Sequence, residues 1–275
     1  MDNINNNYTA FISCSPRDSD NTKLGINQVL NCIEHIKKEL KFTDVMIYVI
    51  FDGIKDRPDN FTEDDKIAYE FKKKKIRDDP SIVNDKFIKI IEFDEWLHQA
   101  NSLKKVMTEY CKTPLIFSLQ EDTLILNGEG IDMDLITDKL LNDDNVEYIK
   151  LFIHNDITVL PGQERAGRSK VGDMKPECLP GTTHPTTNLL HKTNEWSDRP
   201  HFATLDHYNK RVWPKILQHF RCTMEQEVKF GSLRMGQNWN LWIYGKRFSM
   251  CHECDVAYTS NGYGSAFNKK GTHRN

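Results

Sequence analysis

Along the first half of the chain, apolar and polar positions come in blocks whose period keeps changing. Tyr8 to Ser13 is a short apolar run without alternation, the mark of a strand covered on both faces. A polar, turn-rich loop follows, Ser15-Pro16-Arg17-Asp18-Ser19-Asp20-Asn21. Leu24, Ile26, Val29, Leu30, Ile33, Ile36 and Leu40 then recur at helical spacing, and Val45 to Phe51 is a second continuous run, rich in β-branched residues and ended by Asp52-Gly53. Phe61 to Arg77 is charged and helical. Phe87 to Phe93 predicts a third strand, and Trp96, Leu97, Ala100, Leu103, Val106, Met107 and Tyr110 predict a long helix between Asp94 and Tyr110. Thr113 to Leu126 reads as a fourth buried strand, opened by Pro114 and broken at its centre by Glu121-Asp122. Strand and helix in strict alternation predict an α/β fold, a Rossmann-type, mainly parallel sheet with helices on both faces.

Beyond Leu126 the rhythm is lost. Asp132 to Leu141 predicts a helix and Val146 to Ile153 a strand, but Leu160 to Thr187 is rich in Gly, Pro and Thr with little periodicity. A stretch of that length without structure of its own is a functional loop or a disordered one. Aromatic residues then thicken, with Trp196, His201, Phe202, His207, Tyr208, Trp213, Trp239, Trp242 and Tyr244. They suit an ordinary core, and they equally suit a site that stacks sugar rings or a nucleobase.

A chain of 275 residues fits one medium-sized domain or one with an elaborated C-terminal part. The net charge of −3 is spread along the chain, which argues against a general nucleic-acid binder. Within it, Lys72 to Lys75 reads as a solvated helix face. No apolar run approaches the ~20 residues that span a bilayer, and the Asn-rich start, Met1 to Thr9, is neither a signal peptide nor a membrane anchor. Seven scattered Cys without an export signal predict reduced thiols in a cytoplasm-like compartment.

The candidate chemistry lies at the tip of the fourth strand. An open α/β sheet places ligands at strand tips, and two acids there suit a divalent cation, Mg²⁺ or Mn²⁺, holding a nucleotide diphosphate, because such ions take hard carboxylate oxygens and share phosphate and water. The competing reading is a pair of acids that cap the strand and face solvent. Cys251-His252-Glu253-Cys254 looks like half a zinc site, but no second Cys/His pair accompanies it at suitable spacing. A chance cluster on a late strand, or a single ligand role for His252, are the other readings.

On these residues the N-terminal half resembles the nucleotide-sugar-binding half of GT-A fold glycosyltransferases, similar in layout to glycosyltransferase family 2. The Asn/Lys/Ile-rich composition and the stretch Trp196-Ser197-Asp198-Arg199-Pro200-His201 resemble enzymes of large DNA viruses. The likeness runs in order and spacing from Tyr8 to Leu126. It implies that residues 1–127 bind the nucleotide sugar and that 128–275 form the acceptor half of the same domain, in an irregular C-terminal region. By the same resemblance, Ser13, Ser15 and Arg17 contact the nucleotide and Asp52 the uracil or ribose. Asn101 and Lys104 approach the base and phosphates, and Gln120-Glu121-Asp122 replaces the Asp-X-Asp motif. Gln120 brings a neutral amide where the first Asp would stand. Metal binding then rests on Asp122, with Glu121 in the outer shell and His252 as a late-strand ligand.

The chemistry so implied is transfer of a sugar from a nucleotide-diphosphate donor, UDP favoured, to a hydroxyl of a glycan or glycoprotein acceptor. The host cytoplasm is the expected setting if the protein is viral. A cation and basic side chains stabilise the leaving diphosphate, and inversion needs a carboxylate to take the acceptor's proton. Glu225, in Thr223-Met224-Glu225-Gln226-Glu227, is in the matching place, with Thr223 able to cap a helix; Asp198 competes. Salt bridges to Arg199 or Arg221 are the alternative role for both. Two other function classes stand beside this one, a sugar nucleotidyltransferase and a non-catalytic carbohydrate-binding protein. Nucleotidyltransferases open with a Gly-rich loop over the triphosphate, whereas Ser13 to Asn21 contains no Gly.

Overall fold

At the middle of the fold lies β1 (Tyr8–Cys14), every residue of which is buried. The computed structural model describes residues 4–16, 23–55, 61–121, 123–125, 131–151, 185–187, 189–193, 196, 200–216, 239–244 and 258–260. After β1 come α1 (Lys23–Glu39), β2 (Met46–Phe51), α2 (Glu63–Arg77), the short α3 (Pro80–Val83), β3 (Ile88–Glu92), α4 (His98–Tyr110) and β4 (Leu115–Gln120). The chain continues through β5 (Thr123–Ile125), α5 (Met133–Asn142), β6 (Tyr148–Leu151), β7 (Leu190–Thr193), β8 (His201–Thr204), α6 (Leu205–His207), β9 (Leu241–Tyr244) and β10 (Tyr258–Ser260).

Eight strands form one sheet in the order β3-β2-β1-β4-β8-β6-β9-β7, with β8 and β7 running against the rest. The α/β expectation of a mostly parallel sheet between helical layers is met. Alternation along the strands divides the interior in two. Tyr8, Ala10, Ile12 and Cys14 join residues of α1, α2 and α5 on one face, while Phe11, Tyr48, Ile50 and Ile116 pack with α4 and with the segment from Tyr208 to Ile216 on the other. The late aromatics Trp196, Phe202, Tyr208, Trp213, Trp239, Trp242 and Tyr244 are all buried, so the core reading holds for them.

Three expectations need correction. The run from Thr113 to Leu126 is two strands: β4 ends at Gln120, and β5 leaves the main sheet to pair antiparallel with β10. The helix expected from Asp94 begins at His98, because residues 94 and 95 are spent crossing Gly53. Lys72 is wholly buried, although Lys74 and Lys75 of the same run are exposed. Its place explains this: Ala68, Tyr69, Lys72 and Ile76 form one buried stripe of α2. Among the described residues no helix is long and apolar enough to cross a membrane.

Candidate functional site

The chain steps outward from β1 to β2 and β3, and then α4 carries it back across to β4 on the far side of β1. This reversal makes the carboxyl ends of β1 and β4 a topological switch point, the place where an open α/β sheet leaves a crevice. Ser13 is in register with Gln120 across it. Both fall on the α4 face of the sheet, two residues on from Phe11 and Ser118; Ser13 is buried and Gln120 half-buried. On α4, Asn101 and Lys104 are one turn apart and half-buried.

Glu121 goes the other way. Two residues after Leu119, it falls on the α1/α2 face, fully buried, with one carboxylate oxygen 2.7 Å from the Lys72 ammonium. The other oxygen accepts from the backbone N–H of Ser15 at 3.3 Å. The Glu121 N–H donates to the Ser13 carbonyl at 3.1 Å. From α1, the Cys32 thiol donates toward the carbonyls of Glu121 (3.0 Å) and Thr123 (2.7 Å), and His35 Nδ1 donates to the Ile125 carbonyl at 2.7 Å. The Cys14 thiol beside this group is pushed well up by burial, reinforced by the Glu121 carboxylate, and so stays protonated and unreactive.

Asp52 lies at the end of β2 with its carboxylate buried. One oxygen accepts from the N–H of Gly53 (3.0 Å) and of Leu97 (2.9 Å). Leu97 immediately precedes His98, which holds the left-handed backbone at φ 65°. That conformation costs a non-glycine residue about 1 kcal/mol and needs such fixing. Gly53 is required for the same crossing, since a Cβ there would lie 2.1 Å from the Glu95 carbonyl oxygen. Asp52 thus ties the end of β2 to the start of α4.

Across β4 lies a second polar cluster, built on rings. His201 Nε2 is 2.6 Å from the Tyr208 hydroxyl, and the His201 ring stacks on Tyr148 at 4.8 Å and on Tyr208 at 5.8 Å. His207 is fully buried. Its Nδ1 is 3.7 Å from Glu147, whose other oxygen is 3.6 Å from Arg211. Burial lowers the His207 pKa, against the pull of Glu147, and favours the neutral ring. Contact with His207, helped by Arg211, holds the Glu147 carboxyl below its usual range.

Of the residues singled out in the sequence, the structure brings Ser13, Ser15, Asp52, Gln120 and Glu121 to the carboxyl ends of β1, β2 and β4. It places Asn101 and Lys104 on the helix over that face. Arg17, Asp122, Asp198, Glu225 and His252 lie outside the described residues, as does the Cys251 to Cys254 cluster. Among the described residues no three His, Cys, Asp or Glu side chains gather as a metal site. Sequence reasoning missed Lys72, Cys32 and His35. Lys72 had a signal, a charge in the middle of a helical apolar stripe, which calls for a buried counter-charge.

No family model matches the chain, and no curated protein matches it in sequence. Several solved structures resemble it in shape. Residues 1–349 of TarS from S. aureus share 8% identity at a TM-score of 0.46, over 94% of this chain and 62% of that one. A putative glucose-1-phosphate thymidylyltransferase from Bacillus anthracis shares 10% at 0.49, over 98% and 97%. A glycosyltransferase involved in glycosylation of the major capsid of PBCV-1 shares 10% at 0.39, over 96% and 94%. This chain spans less than two thirds of the TarS fragment. Likeness at such identities, with TM-scores below 0.5, carries nothing about what this chain binds.

Proposed function

We propose that this chain is a GT-A-like, metal-dependent glycosyltransferase that moves a sugar from a nucleotide-diphosphate donor, a UDP-sugar favoured, to a hydroxyl of a glycan or glycoprotein, with inversion. The observation that carries the reading is the switch point between β1 and β4, where Ser13 and Ser15 at the end of β1 meet Gln120 and Glu121 at the end of β4. Ser13, Ser15 and Arg17 would line the nucleotide from the β1 side. Asp52 would bound it at the base or ribose, and Gln120, Asn101 and Lys104 would meet it from the α4 side.

Glu121 is already neutralised by Lys72, so a cation in the crevice would rest on Asp122, with His252 as a further ligand. Bound there, Mn²⁺ or Mg²⁺ would offset the charge of the departing diphosphate. Glu225, or in its stead Asp198, would take the acceptor's proton. The Gly-free first loop disfavours the nucleotidyltransferase alternative.

Isothermal titration with UDP and Mn²⁺ tests the reading. Binding that requires the metal and disappears in Asp122→Asn is expected; equal binding with and without metal would overturn it, and a preference for the triphosphate would favour nucleotidyl transfer. Glu225→Gln should keep donor binding and lose transfer by roughly 10²–10⁴-fold. If Asp198→Asn is inactive and Glu225→Gln is not, the base is Asp198.

A further inference from the structure

A buried lysine has a place in this fold that stability alone does not explain. Lys72 Nζ meets Glu121 with neither side chain more than 1% exposed. Removing both charges from water is costly, and a well-packed apolar pair would commonly hold the fold as well or better. What an ion pair adds is direction. Glu121 can satisfy both Lys72 and the Ser15 N–H in few orientations, and its own N–H is tied to the Ser13 carbonyl. One carboxylate therefore joins α2, the segment after β1 and the β4–β5 corner. The last two flank the switch point between β1 and β4.

We infer that Lys72 is a positioning residue for this site: through Glu121 it sets the backbone at the end of β4 and fixes its spacing from Ser15. The nucleotide part of this inference rests on the function proposed above. Lys72 touches no substrate in it and acts entirely through the carboxylate.

Three variants test it, Lys72→Met, Glu121→Gln and the two together. Lys72→Met alone strands a buried charge and should unfold at lower urea, or fail to fold. The double variant removes both charges of the pair and should recover most of that midpoint. If Lys72 positions the corner, the double variant regains stability yet binds UDP with Mn²⁺ at least tenfold more weakly than the native chain. Its Ser15 and Glu121 amides also exchange hydrogen faster, while Ile12 in β1 stays protected. Native-like affinity in the stable double variant would overturn the inference. Should the native chain bind no UDP, the functional reading fails by itself, and exchange then decides: unchanged protection at Ser15 and Glu121 overturns the positioning role, and faster exchange there upholds it.

Discussion

The two sides of β4 handle buried polar groups differently. Toward β3, the strands are parallel and five to seven residues long, and their buried charges are gripped by other elements. Lys72 and Glu121 meet across α2 and the β4 tip, and Asp52 takes N–H groups from Gly53 and Leu97. Toward β7, each strand has four residues, directions are mixed, and the interior is mostly rings. There the His201–Tyr208 bond is made, but among the described residues the Trp196 and Trp213 indole N–H groups and both His207 ring nitrogens make no hydrogen bond. The first side ties its buried charges across elements; the second also makes directional bonds, such as the Trp242 indole N–H to the Asn145 carbonyl and the Asp132 N–H to the Tyr244 hydroxyl, but leans more on ring packing. Since hydrogen bonds and ion pairs specify angles while apolar contact specifies volume, the β1–β4 side is the one built to hold a geometry.

The sharpest way to break this contrast is at Gly53. Alanine there puts a Cβ against the backbone of Asp94 and Glu95, so a loss of about 4 kcal/mol or more in urea unfolding is expected. A loss below about 1 kcal/mol would show that the crossing can yield. Next comes Lys72→Met, at about 3–5 kcal/mol for an uncompensated buried carboxylate; near-neutrality would mean that Glu121 finds water or another partner. Tyr208→Phe, on the ring-packed side, removes the bond to His201 while keeping the stacking, and should cost about 1–2 kcal/mol. A loss as large as that of Lys72→Met would erase the distinction.

The smallest effect concerns acid. Burial lowers the His207 pKa below its unfolded value of about 6.5. The unfolded chain then takes the proton first, and stability declines as pH falls below that value. Glu147 and Arg211 are the charged groups facing His207; Glu147, itself lowered, adds a further loss at more acid pH. Urea midpoints between about pH 7.5 and 5.5 should fall for the native chain and flatten in His207→Gln. Parallel slopes would remove His207 from the account.

Much of the parallel half could be read from the sequence because its strands are continuous apolar runs and its helices keep a steady period. The runs Tyr8 to Ser13 and Val45 to Phe51 come within a residue of β1 and β2. In the other half the helix over Asp132 to Leu141 and the strand over Val146 to Ile153 match α5 and β6, but β7, β8 and β9 could not be read, since four-residue strands are too short to show a period and their pairing depends on partners distant in sequence. At the candidate site, residue types placed Asp52, Gln120 and Glu121 at strand tips, and the structure puts them at the carboxyl ends of β2 and β4. Which way each side chain faces was less accessible: Gln120 and Glu121 are neighbours, yet they belong to opposite faces, and the counter-charge that decides this comes from α2. Nor does a local pattern reveal that Gly53 is needed because another segment crosses it.

The pairing of β5 with β10 also has a consequence for the order of assembly. Thr123 to Ile125 reaches its partner only when Tyr258 to Ser260 has been made, long after β1, β2, β3 and β4 are available to one another. Contacts so distant in sequence close late, at the cost of a long loop. A chain still emerging from the ribosome can thus complete the parallel half while β5 keeps an open edge, free to pair with the wrong strand. The residues next to the switch point are then late to acquire their final neighbours, and any competence that depends on them waits until Ser260 has been made.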